Sequence, residues 1–285
     1  MIAFFGMGLL GSNFARASLR RGERVQVWNR TAEKAHALAP DGAIVGVDPA
    51  AAAKGAARIH VLLSDDAAVD DVLERARPGL EPGVVIVDHT TTSVSGTRER
   101  IARFQAAGIT FQHVPVFMGP VNARDGTGVM LTSGDIARVE QLRPALEKMT
   151  GKLVYLGPDP TRAAAFKLFG NLFLMFVTAG LGELLTLAKS LDIPPEEAVT
   201  LFDSFNPGLT IGPRVQRVLA AQFDQPSWEL AMARKDARLM LEEGERGGVP
   251  LQVLPAIAAL MDRFIARGHE HDDWTVIAKD ALTPR

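Results

Sequence analysis

The sequence predicts an α/β fold in which an N-terminal, doubly wound, mostly parallel sheet is followed by an all-helical part. In the first half, short apolar runs rich in strand-forming residues alternate with helical stretches. This alternation is typical of a parallel sheet covered by helices on both faces. After residue 160, helical runs follow one another and no convincing strand appears.

The expected domains are therefore an NADP-binding domain of the Rossmann type at 1–160 and an all-helical domain at 161–285. The Pro158-Asp159-Pro160 breaker separates them. Expected strands of the first domain are 2–6, 25–29, 43–46, 59–63, 84–88, 109–116 and 129–134. Its expected helices include 31–38, with Thr31 as N-cap, 94–107 and 135–149. Expected helices of the second domain are 161–190, 195–204, 211–222, 227–246, 251–267 and 272–281.

Composition restricts the class of protein. The chain has 285 residues, enough for two domains and a sizeable core. Its formal net charge of -2 gives no basic surface for nucleic acid or an anionic membrane. The sequence has no cysteine, which excludes disulfides, thiolate metal sites and a cysteine nucleophile. The opening residues lack a signal peptide pattern, so a cytoplasmic protein is expected.

The long apolar stretch Leu168–Ala188 is the nearest approach to a membrane span. It contains Asn171 and Glu183, and an ionised glutamate is costly in lipid. A helix that is apolar on all sides also forms the buried spine of a large domain or a subunit interface. We therefore expect no membrane insertion and a homo-oligomer.

A glycine pattern follows the first strand and opens the first helix. It reads Gly6-Met7-Gly8-Leu9-Leu10-Gly11. In this context the first glycine allows a tight turn, the second lets a pyrophosphate approach the backbone, and the third packs helix on strand. The helix N-terminus adds free N–H groups for an anion. The pattern predicts a dinucleotide site.

The end of the second strand indicates which dinucleotide binds. NAD sites place an acidic residue there, about 20 residues after the glycines. This chain has Asn29-Arg30-Thr31. A carboxylate would repel a 2′-phosphate, whereas Arg30 would bind it with charge-assisted hydrogen bonds. The sequence therefore predicts NADP(H).

Polar residues also follow the next strands. Leu63-Ser64 and Thr91 come after the strands at 59–63 and 84–88. The carboxyl ends of parallel strands border the cofactor crevice, so these residues are expected beside the cofactor. Their hydroxyls serve equally well in turns and caps, and the sequence leaves both interpretations open.

Lys167 begins the helical part, where a crevice between two domains would lie. Asn171 is one helical turn later, hence on the same face. Hydride addition to a C=O or C=N carbon leaves a heteroatom that must take a proton. Burial lowers the pKa of a lysine, which suits it to proton transfer near neutrality. The alternative is a lysine that snorkels to water at a helix start.

Two groups of histidines give weaker signals. The cluster His269-Glu270-His271-Asp272-Asp273 favours a solvated polar turn, and we expect no metal site. His89 and His113 lie at strand ends. His113 is more typical of a structural histidine than of one facing the crevice.

Several motifs together resemble the β-hydroxyacid dehydrogenase family (3-hydroxyisobutyrate dehydrogenase-like). In chain order they are GMGLLG, VWNRT, LLSD, VPVFMGPVNARDGTG, YLGPDPTRAAAFKLFGN and ARKDARLML. The resemblance spans nearly the whole chain and is strongest to NADPH-dependent glyoxylate/succinic semialdehyde reductases. It implies a Rossmann domain, a long interdomain helix and an all-helical C-terminal domain like that of 6-phosphogluconate dehydrogenase.

The same resemblance implies residue roles. The catalytic lysine of the family matches Lys167, and its asparagine matches Asn171. A Lys-Asp pair near the cofactor and substrate matches Lys235 and Asp236. Members of the family are commonly dimers or tetramers through the helical domain.

The chain departs from the family pattern where the substrate is expected. Phe117-Met118-Gly119 replaces the usual Ser-Gly-Gly, whose Ser and Gly donate hydrogen bonds to a substrate carboxylate. Phe117 lacks the hydroxyl, and the Phe-Met pair narrows the site and makes it apolar. Gly170 stands where the family has the first of two asparagines. The substitution at Phe117 weakens the case for a small carboxylate substrate.

The resulting expectation is an NADP(H)-dependent oxidoreductase that interconverts a small hydroxy acid or alcohol and its aldehyde or ketone. The main alternative is an imine reductase, a related family with a more apolar pocket. The Phe117-Met118 pair favours that alternative, whereas Lys167 disfavours it, because imine reductases usually have another residue there. An alternative of another class is a non-catalytic NADP(H)-binding protein, which would be expected to lose the lysine.

Overall fold

The computed structural model describes residues 1–283, and the chain forms two compact units, Met1–Leu172 and the remainder from Phe173 onward. The first unit is built on a six-stranded sheet. Its strands are β1 Ile2–Phe5, β2 Val25–Trp28, β3 Ile44–Val45, β4 Arg58–Val61, β5 Val85–Asp88 and β6 Thr110–His113. Their order is β3-β2-β1-β4-β5-β6, and all neighbours are parallel. Strands β1 to β3 are added toward one edge of the sheet and β4 to β6 toward the other, so the order of strands reverses between β1 and β4. Ligands of α/β folds bind at such a reversal.

Helices cover both faces of this sheet. They are α1 Leu9–Arg20, α2 Ala32–His36, α3 Pro49–Ala53, α4 Asp66–Ala76 and α5 Val94–Ala106. Alternate residues of β1 enter two separate cores: Phe4 packs with Phe14 of α1, and Phe5 packs in the core that holds Val69 of α4. Burial of both faces is what a doubly wound sheet requires, so the predicted fold class is confirmed.

The run 109–116 is not a single strand, which corrects the sequence-based expectation. β6 ends at His113, and Val116–Phe117 forms β7 in a second sheet with β8 Val129–Thr132 and β9 Lys152–Tyr155. Pro115 explains the break, because it has no N–H to continue the first ladder. In the second sheet β7 is antiparallel to β8, and β8 is parallel to β9. Helices α6 Pro120–Asp125 and α7 Ile136–Leu146 follow β7 and β8.

The predicted cap of α2 was also wrong. Thr31 occupies the N-cap position, but its side chain makes no capping hydrogen bond. Its carbonyl oxygen instead accepts a hydrogen bond from the Asn29 amide, at 2.8 Å. The backbone of Thr31 thus holds the end of β2 in place, and its hydroxyl does not stabilise the helix.

Helix α8, Arg162–Ser190, is the one helix in residues 1–283 that is long and apolar enough to cross a membrane by length and composition. Its apolar side chains are exposed over a continuous stretch. They include Phe169, Leu172, Phe173, Leu174, Met175, Phe176 and Val177. Glu183, the acidic residue that argued against lipid, accepts hydrogen bonds from the backbone N–H groups of Gln252, Val253 and Leu254. Its carboxylate therefore satisfies donors at the start of the helix that begins at Leu254.

The second unit is built from helices joined by loops and has no named strand among its described residues. After α8 it contains α9 Pro195–Ala198, α10 Leu201–Ser204, α11 Ile211–Leu219, α12 Leu230–Arg246 and α13 Leu254–Ile265. The stretch expected as a helix at 272–281 is a 3-10 helix, Trp274–Leu282. Asp273 is buried at the start of this 3-10 helix and accepts hydrogen bonds from Ser227 and Thr275. Burial alone would raise the pKa of its carboxyl group, but these hydrogen bonds outweigh burial and lower the pKa to about 2. The core around it includes Leu230, Met261 and Phe264.

Candidate active site

The three glycines of the loop after β1 have distinct structural reasons. Gly6 has a φ of +97°, and a Cβ there would lie 2.0 Å from the Leu62 carbonyl oxygen. A Cβ on Gly11 would lie 1.8 Å from the Gly6 carbonyl oxygen, so the first turn of α1 packs on the loop only without a side chain. A Cβ on Gly8 would meet nothing within 4 Å. The loop is therefore fixed at both ends and open at its middle glycine, which fits a cradle for a pyrophosphate.

Asn29 ties this loop to the end of β2. Its side-chain oxygen accepts a hydrogen bond from the Met7 N–H at 2.8 Å, while its amide donates to Thr31. Arg30 follows and is exposed. Its guanidinium also contributes, weakly, to the lowered pKa of Asp65, which arises mainly from the Ala68 N–H and the Ser64 hydroxyl. An exposed cation thus follows the residue that is hydrogen-bonded to the loop, and its assignment to a 2′-phosphate stays a prediction.

A cleft of about 330 Å³ brings together some of the predicted residues of the first unit, whereas Asn29, Arg30, Ser64, Phe117 and Asn171 are not among its lining residues. Its lining combines the glycine loop, the ends of β4 and β5, the β7 region and the start of α8. The lining residues are Gly8, Leu9, Leu10, Gly11, Leu62, Leu63, His89, Thr90, Thr91, Val116, Met118 and Lys167. The cleft lies at the reversal of strand order, so the topology positions it.

The hydroxyls that the sequence left open divide between the two interpretations. The Ser64 hydroxyl donates to Asp65, whose other oxygen caps α4. The Thr90 hydroxyl accepts the Leu63 N–H at 3.0 Å and so holds two strand ends together. Thr91 is exposed and lines the cleft. Thr91 therefore remains the hydroxyl that a cofactor can reach.

Lys167 lies on the first part of α8 and is only 9% exposed. Its Nζ donates to the Asn171 side-chain oxygen at 2.9 Å, so the predicted pair forms on one face of the helix. The Nζ also lies 4.3 Å from the centroid of the Phe117 ring. Burial lowers the pKa of Lys167. A desolvated ammonium beside a cleft is suited to giving up a proton.

Of the four residues predicted to meet the substrate, the three in the Phe117-Met118-Gly119 segment behave differently from one another. Phe117 covers Lys167, and Met118 lines the cleft. Gly119 is not free to bind a substrate through its backbone, because its N–H donates to the Asn122 side-chain oxygen at 2.8 Å. Asn122 is the third residue of α6, a position from which a side chain commonly accepts the N-cap N–H. The Gly-Pro-Val-Asn order was the signal for this bond in the sequence.

Lys235 and Asp236 lie in the second unit, on α12, where they form an ion pair with each other. Both side chains are partly exposed. Their assignment to the cofactor and the substrate stays a prediction.

A chain of hydrogen-bonded polar groups, buried at His60 and His89, was not predicted from the sequence. Arg58 Nε donates to His60 Nε2 at 2.8 Å, His60 Nδ1 lies 2.9 Å from His89 Nε2, and His89 Nδ1 lies 2.7 Å from the Val114 carbonyl oxygen. An arginine always donates and a carbonyl always accepts, so His60 Nε2 is an acceptor and His89 Nδ1 is a donor. His60 Nδ1 must then donate to His89 Nε2, and both imidazoles are neutral. His113, in contrast, is buried beside Asp88 and is not among the residues lining the cleft.

The chain matches known families over both units. Residues 1–157 match the NAD binding domain of 6-phosphogluconate dehydrogenase, and residues 162–280 match the NAD-binding domain of NADP-dependent 3-hydroxyisobutyrate dehydrogenase. The 3-sulfolactaldehyde reductase of Escherichia coli is 29% identical over 97% of this chain and 94% of that protein. The human cytokine-like nuclear factor N-PAC is 28% identical over 97% of this chain but 50% of its own length. An imine reductase from Myxococcus stipitatus, solved with NADP+, has the same fold, with a TM-score of 0.91, 24% identity and coverage of 98% and 99%.

The histidine chain predicts a pH dependence of stability. Burial lowers the pKa of His60, and it lowers that of His89 from 6.5 to about 4. The unfolded chain therefore binds protons between these values that the folded chain does not, so stability is complete above about pH 6.5 and falls as the pH drops toward 4. Between about pH 7.5 and pH 5 we expect a loss of about 2 kcal/mol from His89 in urea denaturation.

His89→Gln should reduce this pH dependence, and the exposed His36→Gln should leave it unchanged. Equal pH dependence in wild type and His89→Gln would contradict the assignment of a neutral, buried imidazole to His89.

Proposed function

The chain belongs to the family of NAD(P)-dependent dehydrogenases that includes 6-phosphogluconate and 3-hydroxyisobutyrate dehydrogenases, and from that premise we propose that it is an NADP(H)-dependent reductase of a small aldehyde or ketone. The observation that carries the proposal is Lys167, which is buried at the cleft with its Nζ bound to Asn171. We infer that the enzyme is cytoplasmic.

The residues of the first unit fit the cofactor. The loop Gly6–Gly11 would hold the pyrophosphate, since Gly8 leaves its backbone open. Arg30 would bind the 2′-phosphate, and Leu63, Ser64 and Thr91 would border the rest of the cofactor at the strand ends. When bound there, NADPH would supply a hydride for the carbonyl carbon. In the second unit, Lys235 is assigned to the cofactor and Asp236 to the substrate.

Lys167 supplies the proton of the reaction. As the carbonyl carbon gains a hydride, its oxygen takes the π electron pair and then accepts a proton from the Lys167 ammonium. Asn171 cannot take that proton, and its amide oxygen holds the Nζ in place. The lowered pKa of Lys167 reduces the cost of the transfer. In the oxidation direction the neutral amine accepts the proton from the alcohol.

An imine reductase is the second candidate, because the Phe117-Met118 pair presents an apolar wall. The solved imine reductase supports the shared fold, and its 24% identity carries no substrate to this chain. The sulfolactaldehyde reductase, which covers nearly the whole chain, is by its name an enzyme that reduces an aldehyde. An imine that is already protonated in water binds as an iminium, and hydride addition then gives a neutral amine without a further proton. The alkoxide formed from a carbonyl always needs a proton, so the buried lysine favours a carbonyl substrate.

Lys167→Met tests the proton donor. Methionine keeps most of the side-chain volume and removes the ammonium. We expect kcat for aldehyde reduction to fall by about 10²- to 10⁴-fold, while the Kd for NADPH, measured by fluorescence titration, stays within about twofold. The exposed Lys148→Met should change neither value. Loss of NADPH binding together with turnover would show that Lys167 is structural or binds the cofactor, and full turnover without it would point to another donor. Turnover of neither aldehyde nor imine by the wild type, with NADPH bound, would favour a non-catalytic protein.

Arg30→Ser tests the choice of cofactor. If Arg30 makes charge-assisted hydrogen bonds to the 2′-phosphate, its loss should weaken NADPH binding by about 10- to 100-fold and leave NADH binding nearly unchanged. Arg263→Ser, an exposed arginine on α13, serves as the control. A parallel loss for both cofactors would mean that Arg30 supports the loop and does not select NADP(H).

The exposed apolar face of α8 supports a homo-oligomer, a dimer or a tetramer. Monomeric soluble proteins rarely leave so many contiguous apolar side chains in water. Light scattering should give a multiple of the chain mass, and Phe176→Glu should reduce it. Ile136→Glu, at an exposed apolar residue of α7, is the matched control. A clean monomer at working concentration would refute the proposal.

A further inference from the structure

We propose that Phe117 selects the substrate, favouring carbonyl compounds whose substituent is uncharged and apolar over those that carry a carboxylate. The inference rests on the proposed function and adds a substrate class to it. It depends on one contact between β7 and α8, within the first unit of the chain.

The Phe117 ring packs against the backbone of α8 at Gly170, where a side chain would clash with it. A Cβ at position 170 would lie 2.2 Å from Phe117 Cζ and 2.6 Å from Cε1, distances that real Cβ atoms do not show. The ring therefore rests directly on the backbone of α8. Glycine is unfavourable inside a helix, so Gly170 costs stability that the ring contact offsets. Phe117 and Gly170, the two departures from the family pattern noted in the sequence, form one structural unit.

The same ring is tied to the proton donor. Lys167, Gly170 and Asn171 lie on one face of α8, because residues three and four apart on a helix are neighbours. The Lys167 Nζ sits 4.3 Å from the ring centroid and 2.9 Å from the Asn171 oxygen. A cation over the face of an aromatic ring is an attractive contact. A substrate whose carbonyl oxygen meets the Lys167 Nζ would therefore extend its substituent near this ring.

A carboxylate at this position would lack the two donors, a Ser and a Gly, that the family pattern supplies on the β7 side. Phe117 offers none, and the Gly119 N–H is already bound to Asn122. Lys167 is held by Asn171 and is needed for the carbonyl oxygen. A carboxylate that loses water here would leave its oxygens without hydrogen bonds, which is strongly unfavourable.

Met118 extends the apolar wall. Met118 lines the cleft, and its side chain packs closely on Gly128. A Cβ added to Gly128 would lie 2.8 Å from Met118 Cγ. Gly128 has a φ of +81°, so both the backbone conformation and the space favour glycine there. Phe117 and Met118 are thus both seated against glycines, which keeps the wall in a fixed position. An apolar substituent of the substrate would pack on it.

The test compares two aldehydes that differ only at the remote group. Succinic semialdehyde carries a carboxylate, and 4-methylpentanal carries an isopropyl group of similar shape. We expect the wild type to have the higher kcat/KM for 4-methylpentanal. Phe117→Ser should shift the ratio of the two kcat/KM values toward the semialdehyde by about 10- to 100-fold, because it restores a donor and opens space. Phe117→Leu, which keeps an apolar side chain, should retain the preference for 4-methylpentanal.

Gly170→Ala tests the contact between Gly170 and the Phe117 ring. Its Cβ should displace the Phe117 ring and lower kcat/KM for 4-methylpentanal, whereas in a Phe117→Ser background the same change should have little further effect. Gly182→Ala is the matched control, because it lies on α8 and an added Cβ there meets nothing within 4 Å. Equal effects of Gly170→Ala in both backgrounds would overturn the coupling between the two residues.

Binding to the NADP+ complex separates failure of this inference from failure of the proposed function. Calorimetry with butyrate and butyramide needs no turnover. Tighter binding of butyramide by the wild type, reversed in Phe117→Ser, supports the inference even if neither aldehyde is reduced. A wild type that prefers the semialdehyde and butyrate, or a Phe117→Ser variant with unchanged ratios, overturns the inference and leaves the role of Lys167 to be judged by Lys167→Met.

Discussion

The burial of one ammonium group is the constraint on which the rest of the site depends. Lys167 is only 9% exposed, and its Nζ contacts the Asn171 oxygen and the Phe117 ring. Burial lowers the pKa of Lys167, because neither neighbour carries a negative charge to compensate fully for the lost water. The same desolvation makes proton release easier. The residues that shield Lys167 therefore shape both the reactivity of the donor and the space left for a substrate.

The sheet topology supplies the other half of the site without any unusual chemistry. The strand order reverses between β1 and β4, and the loop Gly6–Gly11 lies at that reversal because it follows β1. Its backbone packs so closely at Gly6 and Gly11 that a Cβ there would lie about 2 Å from a carbonyl oxygen. Asn29 and Thr90 then accept hydrogen bonds from the N–H groups of Met7 and Leu63, and these bonds hold neighbouring strand ends together. The cleft is thus fixed by backbone geometry, and the chemistry is added by α8.

The sequence predicted features that depend on local pattern. The fold class, the glycine loop and the Lys167–Asn171 pair follow from spacing along one element, and the structure forms them. Contacts between distant segments could not be predicted. The departures at Phe117 and Gly170 were visible singly, but their contact requires β7 to leave the first sheet at Pro115, which the continuous run 109–116 concealed. The His60–His89 chain likewise depends on the pairing of strands that are far apart in sequence.

The central claim is that a lysine with a lowered pKa gives the proton. The most direct measurement is the pH dependence of kcat for aldehyde reduction with saturating NADPH. Since the protonated form is the donor, we expect kcat to be high at low pH and to fall through an apparent pKa below the ordinary lysine value of 10.5. The oxidation direction should show the opposite limb. A reduction rate that stays constant up to pH 10.5 would contradict the account.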